Sequence, residues 1–175
     1  MTKNNFFKIT SFILALLLLS SLNLSCADKE VIDEAGVGDM PIWIYFDGNG
    51  YSKPASMSAE DYVNELKCQI YTSIIHGATG VMFWSDTTKE PYVFDALTPM
   101  LKELNDNVHI FKLNTSETAI TGDLHIMIKE DKDKKYIIAS NTSKSSPVSL
   151  NIAGADKKSL NALEVYVGET LPRIK

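Results

Sequence analysis

Two short stretches constrain the fold of this chain more than any other feature. Residues 42–46 (IWIYF) and 80–84 (GVMFW) are apolar at nearly every position. Continuous rather than alternating apolarity marks strands covered on both faces, the habit of parallel sheets. Between them Tyr62, Leu66, Ile70 and Ile74 recur every fourth residue, and Val63 and Tyr71 widen the stripe. That spacing predicts an amphipathic helix over 60–76. Ser58 stands three residues before Asp61, with Glu60 in the first turn, and Gly77 can close the far end. Two buried strands joined by one helix make a βαβ unit, and such crossovers are right-handed and parallel. Phe94, Leu97, Leu101 and Leu104 predict a second helix over 93–105.

In parallel sheets ligands gather beyond the carboxyl ends of the strands. The residues there are Asp47 and Asn49 after the first strand, and Ser85 and Asp86 after the second. Asp47 and Asp86 are therefore the candidate catalytic carboxylates. Trp43, Tyr45, Asn49, Trp84 and Ser85 are the candidate substrate-binding residues, with the two tryptophans able to face a sugar. The competing reading makes Asp47 a turn former in Asp47-Gly48 and Asp86 a cap for the next segment.

The first 25 residues stand apart from the fold. Lys3 and Lys8 precede an apolar run that is short for a membrane span and suited to a signal h-region. The run ends in LNLSC, which resembles a bacterial lipobox, with Ser25 before Cys26 and Asn23 where leucine is usual. The expectation is a signal peptide over 1–25, lipidation at Cys26 and an acidic tether over 26–39. This implies an exported protein anchored by lipid to the bacterial outer membrane, at the cell surface. Cys68 is then left on the predicted helix as a small buried hydrophobe.

Beyond residue 108 the texture changes to short β-rich runs, among them HIFKL, DLHIMIKED, KYIIASN and ALEVYVG. The expected organisation is a β/α segment over 40–107 and a small antiparallel β-sandwich over 108–175. The net charge of −5 across 175 residues, with no basic stripe, excludes a nucleic-acid partner. No His-x-x-x-His or Cys-x-x-Cys spacing and no phosphate loop occurs, so neither metal nor cofactor is expected.

Residues 65–85 (ELKCQIYTSIIHGATGVMFWS) resemble the last two β/α units of a family of (β/α)8-barrel glycoside-hydrolase-like proteins. Glu65, Lys67, Gln69, Tyr71, Gly77, Ala78, Gly80, Trp84 and Ser85 match that family's pattern. Leu101-Lys102-Glu103-Leu104 matches its closing helix, and Tyr136 to Asn141 matches a strand of its C-terminal sandwich. The resemblance implies a partial barrel of two strand–helix units followed by a sandwich, and a role in polysaccharide binding or breakdown. A full barrel takes eight strands and about 250 residues, so it also implies that most of the barrel is absent. Three readings follow. One is a glycoside-hydrolase-like enzyme, another is a noncatalytic surface lipoprotein that binds carbohydrate or protein, and the last is an internally deleted remnant. In each, unless the β-module covers the open sheet, an oligomer or a partner chain must do so, or the fold is only marginally stable.

Overall fold

A computed structural model describes residues 41–48, 50, 53–84 and 91–170, the side chains of Pro91, Tyr92 and Phe94 excepted. The chain runs β1 (Trp43–Asp47), α1 (Ala59–Ile75), β2 (Gly80–Trp84), α2 (Pro91–Phe111), then β3 (Asn114–Thr121), β4 (Leu124–Asp131) and β5 (Lys134–Asn141). The short β6 (Val148–Ser149) and β7 (Ser159–Leu160) and the final β8 (Val165–Glu169) complete it. Among the described residues no helix is long and apolar enough to cross a membrane.

The βαβ unit forms as its apolar pattern requires. β1 and β2 pair in parallel, Trp43 opposite Gly80 through Asp47 opposite Trp84. Ile44, Phe46, Val81 and Phe83 turn to one side and pack with Tyr62, Leu66, Ile70, Val93, Leu97 and Met100 of the two helices. The Ser58 hydroxyl accepts from the Asp61 amide at 3.0 Å and caps the start of α1. At its other end the amide of Ala78 bonds back to Ser73 and that of Gly77 to Ile74. This Schellman closure needs the left-handed backbone that Gly77 supplies at φ 100°.

The two strands are not covered on both faces, as their continuous apolarity predicts. Trp43, Tyr45, Met82 and Trp84 alternate to the side away from the helices, where Trp43 is 57 %, Tyr45 65 % and Trp84 60 % exposed. The β-module does not fill that side, because it packs on α1 instead. Its main sheet is antiparallel, in the order β3-β4-β5-β8. One face meets the helices through Met127 and Ile138 against Tyr71, Ile75 and Ile110. The other face carries Leu124, Ile137 and Ala139 against Leu150, Ala155 and Leu160, around the small β6–β7 pair. The architecture is mixed α/β: a parallel pair, a two-helix layer and an antiparallel sheet.

HIFKL is not a strand. His109, Ile110 and Phe111 form the last turn of α2, because Ile110 is buried against the sheet and Phe111 meets Tyr71 edge-on at 5.8 Å. Burial on the helical face outweighs the β propensity of these residues.

Candidate functional site

The carboxyl end of β1 and the exposed face of the parallel pair hold four of the residues singled out from the sequence. Asp47 ends β1 beside Trp84, and the amide of Gly48 bonds to the Trp84 carbonyl at 2.9 Å, extending the ladder one step. The Tyr62 hydroxyl reaches up from α1 and donates toward both the Asp47 carbonyl (3.0 Å) and its carboxylate Oδ2 (3.1 Å). One phenolic proton shared between two acceptors fixes the carboxylate against the end of its own strand. Tyr45 lies opposite Met82 in the middle of the face, and Trp43 opposite Gly80 at its far end.

Asn49, Ser85, Asp86 and Cys26 lie outside the described residues. The structure therefore brings together Asp47, Trp43, Tyr45 and Trp84, and gives no separation for the Asp47–Asp86 pair. Tyr62 is the neighbour of the candidate site that the sequence hides. Its place in the helical stripe reads as core, and it is indeed buried, yet its hydroxyl extends past the core to the strand exit. Only the way α1 packs against the end of β1 reveals that contact.

A second polar cluster runs between α1 and the antiparallel sheet. Cys68, Thr72 and His76 follow one another at every fourth position of the helix. The Cys68 thiol donates to the Asn141 carbonyl at 3.3 Å, and the Thr72 and Ser140 hydroxyls lie 2.7 Å apart. Nε2 of His76 is 2.8 Å from Nδ1 of His125, both rings being buried. Cys68 is thus the buried thiol expected from its helix position. Among the described residues no group of three or more His, Cys, Asp or Glu side chains is placed to hold a metal ion.

The residues that carry the resemblance to glycoside-hydrolase-like proteins are mostly structural. Glu103 on α2 accepts from Lys67 (2.5 Å) and from the Tyr71 hydroxyl (2.9 Å), and Asn107 donates to the same hydroxyl at 3.2 Å. Burial, and then the neighbouring Glu103, push the Tyr71 phenol up from its usual range, so it stays a proton donor. An open cleft of about 730 Å³ lies between α1 and residues 161–165. Its charged groups are already engaged, Asp61 with the Ser58 hydroxyl, Glu65 with Lys144, Lys67 with Glu103 and Glu164 with Lys157. The exposed sheet face, rather than this cleft, is the candidate site.

No protein family matches the sequence, and no curated protein matches it. Solved structures that the fold is similar to include a debranching enzyme of Nostoc punctiforme, soaked with acarbose (TM-score 0.39, 10 % identity), covering 57 % of this chain and 28 % of that one. Another is the cyclic α-maltosyl-(1→6)-maltose hydrolase of Arthrobacter globiformis (TM-score 0.38, 10 % identity), covering 65 % and 31 %. A third is a GH30 endoxylanase of Clostridium papyrosolvens (TM-score 0.37, 12 % identity), covering 85 % and 42 %. The chain spans less than half the length of each of these three structures.

Proposed function

We propose that this chain is an exported, lipid-anchored, glycoside-hydrolase-like protein that binds oligosaccharide or polysaccharide on the open face of β1 and β2. In this reading the parallel pair is the end of a (β/α) barrel, and the exposed face is the side that such a barrel turns inward. Cys26 carries the lipid and holds the protein at the outer-membrane surface.

The observation behind the reading is the exposed row of Trp43, Tyr45 and Trp84 with the Asp47 carboxylate at one end. A sugar ring has a C–H face and a hydroxyl rim. Aromatic faces take the first, and a fixed carboxylate accepts charge-assisted hydrogen bonds from the second. Size separates a sugar from a protein partner. The three aromatic residues, with Met82 between them, leave on the order of 500 Å² uncovered. A standard protein interface buries about 800 Å² on each side. The patch fits a small ligand and is too small to hold a folded partner alone.

Breakdown needs more than binding, since glycoside hydrolysis generally uses two carboxylates across the scissile bond. Asp47 is one candidate and Asp86 the other. Calorimetric titration of the full chain in detergent, with xylohexaose, cellohexaose and maltohexaose, tests the reading. Binding of at least one is expected, weakened about tenfold by Trp84→Ala, the worth of one aromatic contact. Absence of binding to all three, or an unchanged affinity in Trp84→Ala, overturns it. Assaying the same samples for new reducing ends, with Asp47→Ala and Asp86→Ala as controls, separates breakdown from binding.

A further inference from the structure

We infer that Gly80 is the seat of the Trp43 indole, and that it is thereby a positioning residue for a linear, neutral oligosaccharide lying along the strands. The inference rests on the sugar-binding reading of this face and goes on to say how the far end of the row is built.

Gly80 begins β2 directly opposite Trp43. A methyl group built on its Cα would fall 2.6 Å from Cδ2, 2.8 Å from Cε2 and 3.0 Å from Cε3 of that indole. Cδ2 and Cε2 are the two carbons of the ring fusion. They lie inside the indole outline and are approached from a ring face rather than from an edge. One face of Trp43 therefore lies on the Gly80 backbone, while the residue remains 57 % exposed. The glycine is not required by the backbone, since Gly80 is absent from the positive-φ glycines Gly50, Gly77, Gly122 and Gly154. Glycine inside a strand costs stability and marks a close approach of another group. Here that group is the indole.

The consequence is a row rather than an isolated ring. Residues two apart on a strand stand about 7 Å apart on the same face. Trp43 and Tyr45 occupy such positions on β1, and Trp84 follows one further step along on β2, beside Asp47. A side chain at position 80 would lift the indole off the sheet and break the row at the end away from the carboxylate. An extended oligosaccharide would lose that contact while keeping those to Tyr45, Trp84 and Asp47.

The test is a double-mutant cycle on the full chain, titrated with the same three hexasaccharides. Gly80→Ala should weaken the best-bound one about tenfold, close to the effect of Trp43→Ala, with the unfolding midpoint kept. In the Trp43→Ala background, Gly80→Ala should have no further effect on affinity. Unchanged binding in Gly80→Ala overturns the inference and leaves the sugar reading standing. So does an equal loss in both backgrounds, which would mean that Gly80 acts through the fold. Failure of the unsubstituted chain to bind any of the three removes the reading and the inference together. If Gly80→Ala alone does not fold, the double variant, which lacks the clashing indole, should fold. If neither folds, Gly80 serves only the fold and the inference is wrong.

Discussion

At residue scale the side chain of Asn141, at the end of β5, is heavily engaged. It is fully buried. Its Nδ2 lies within hydrogen-bond distance of the carbonyls of Ser146 (2.8 Å), Asn161 (2.8 Å) and Leu160 (3.3 Å), and its Oδ1 accepts from the Ser143 amide at 3.0 Å. Its backbone amide bonds to the Glu164 carbonyl, and its own carbonyl receives the Cys68 thiol. Its side-chain amide thus ties together two loops and the β7 end, and its backbone carbonyl adds α1. Asn141→Asp keeps the shape but sets an anionic oxygen among three carbonyls. The expected loss is about 3 kcal/mol or more in denaturant unfolding, no milder than that of Asn141→Ala. A loss under about 1 kcal/mol would show that the carbonyls are satisfied otherwise. The sequence marks Asn141 only through the family pattern. Its role as a hub could not be read there, because the partners of its side chain come from loops as far as 20 residues away, and the Cys68 thiol from 73 residues back.

At the scale of elements, α1 carries two different sides. One side, with Leu66 and Ile70, faces β1, β2 and α2. The other, with Tyr71 and Ile75, faces the antiparallel sheet, and the polar line of Cys68, Thr72 and His76 runs along it. The hydroxyls of Thr72 and Ser140 are fully buried and 2.7 Å apart. Thr72→Val strands the Ser140 hydroxyl, and urea unfolding should register a loss of roughly 1–3 kcal/mol. Adding Ser140→Ala should recover most of it, since two apolar partners leave nothing unsatisfied. If the double variant is less stable than Thr72→Val, the pair is not the reason. The helix itself was legible, in its stripe, its Ser58 cap and its Gly77 exit. Its second side was not, because Thr72, Ser73 and His76 fall outside the apolar stripe, and nothing in their spacing names the distant sheet that covers them. The end of α2 misleads for the complementary reason, since HIFKL has strand composition and a helical burial pattern.

For the whole molecule, α1 is the shared wall of two cores. Neither the parallel pair nor the four-stranded sheet keeps its cover if that helix leaves. Thermal unfolding followed by near-UV circular dichroism of the tryptophans, and by far-UV signal from the sheet, should therefore give one coincident transition. Two separated transitions would mean that the modules melt independently. The order of elements and the parallel pairing were legible from apolar runs and caps, and the exposed face was not. A run apolar at every position says that both sides of a strand are unsuited to water, not which side finds a partner.

The same helix has a consequence for how the chain comes together. Its sheet-side contacts reach far along the sequence, with Cys68 to Asn141 and Thr72 to Ser140 about seventy residues apart. Contacts this distant form late, after long loops have closed. As the polypeptide is synthesised, α1 emerges well before the strands it must cover. Half-made chains are vulnerable to association through exposed apolar surface. Thr72 and His76 make that surface less apolar than an unbroken stripe would be while it waits. The seam that is buried in the finished protein also leaves the unfinished one with less apolar surface to associate through.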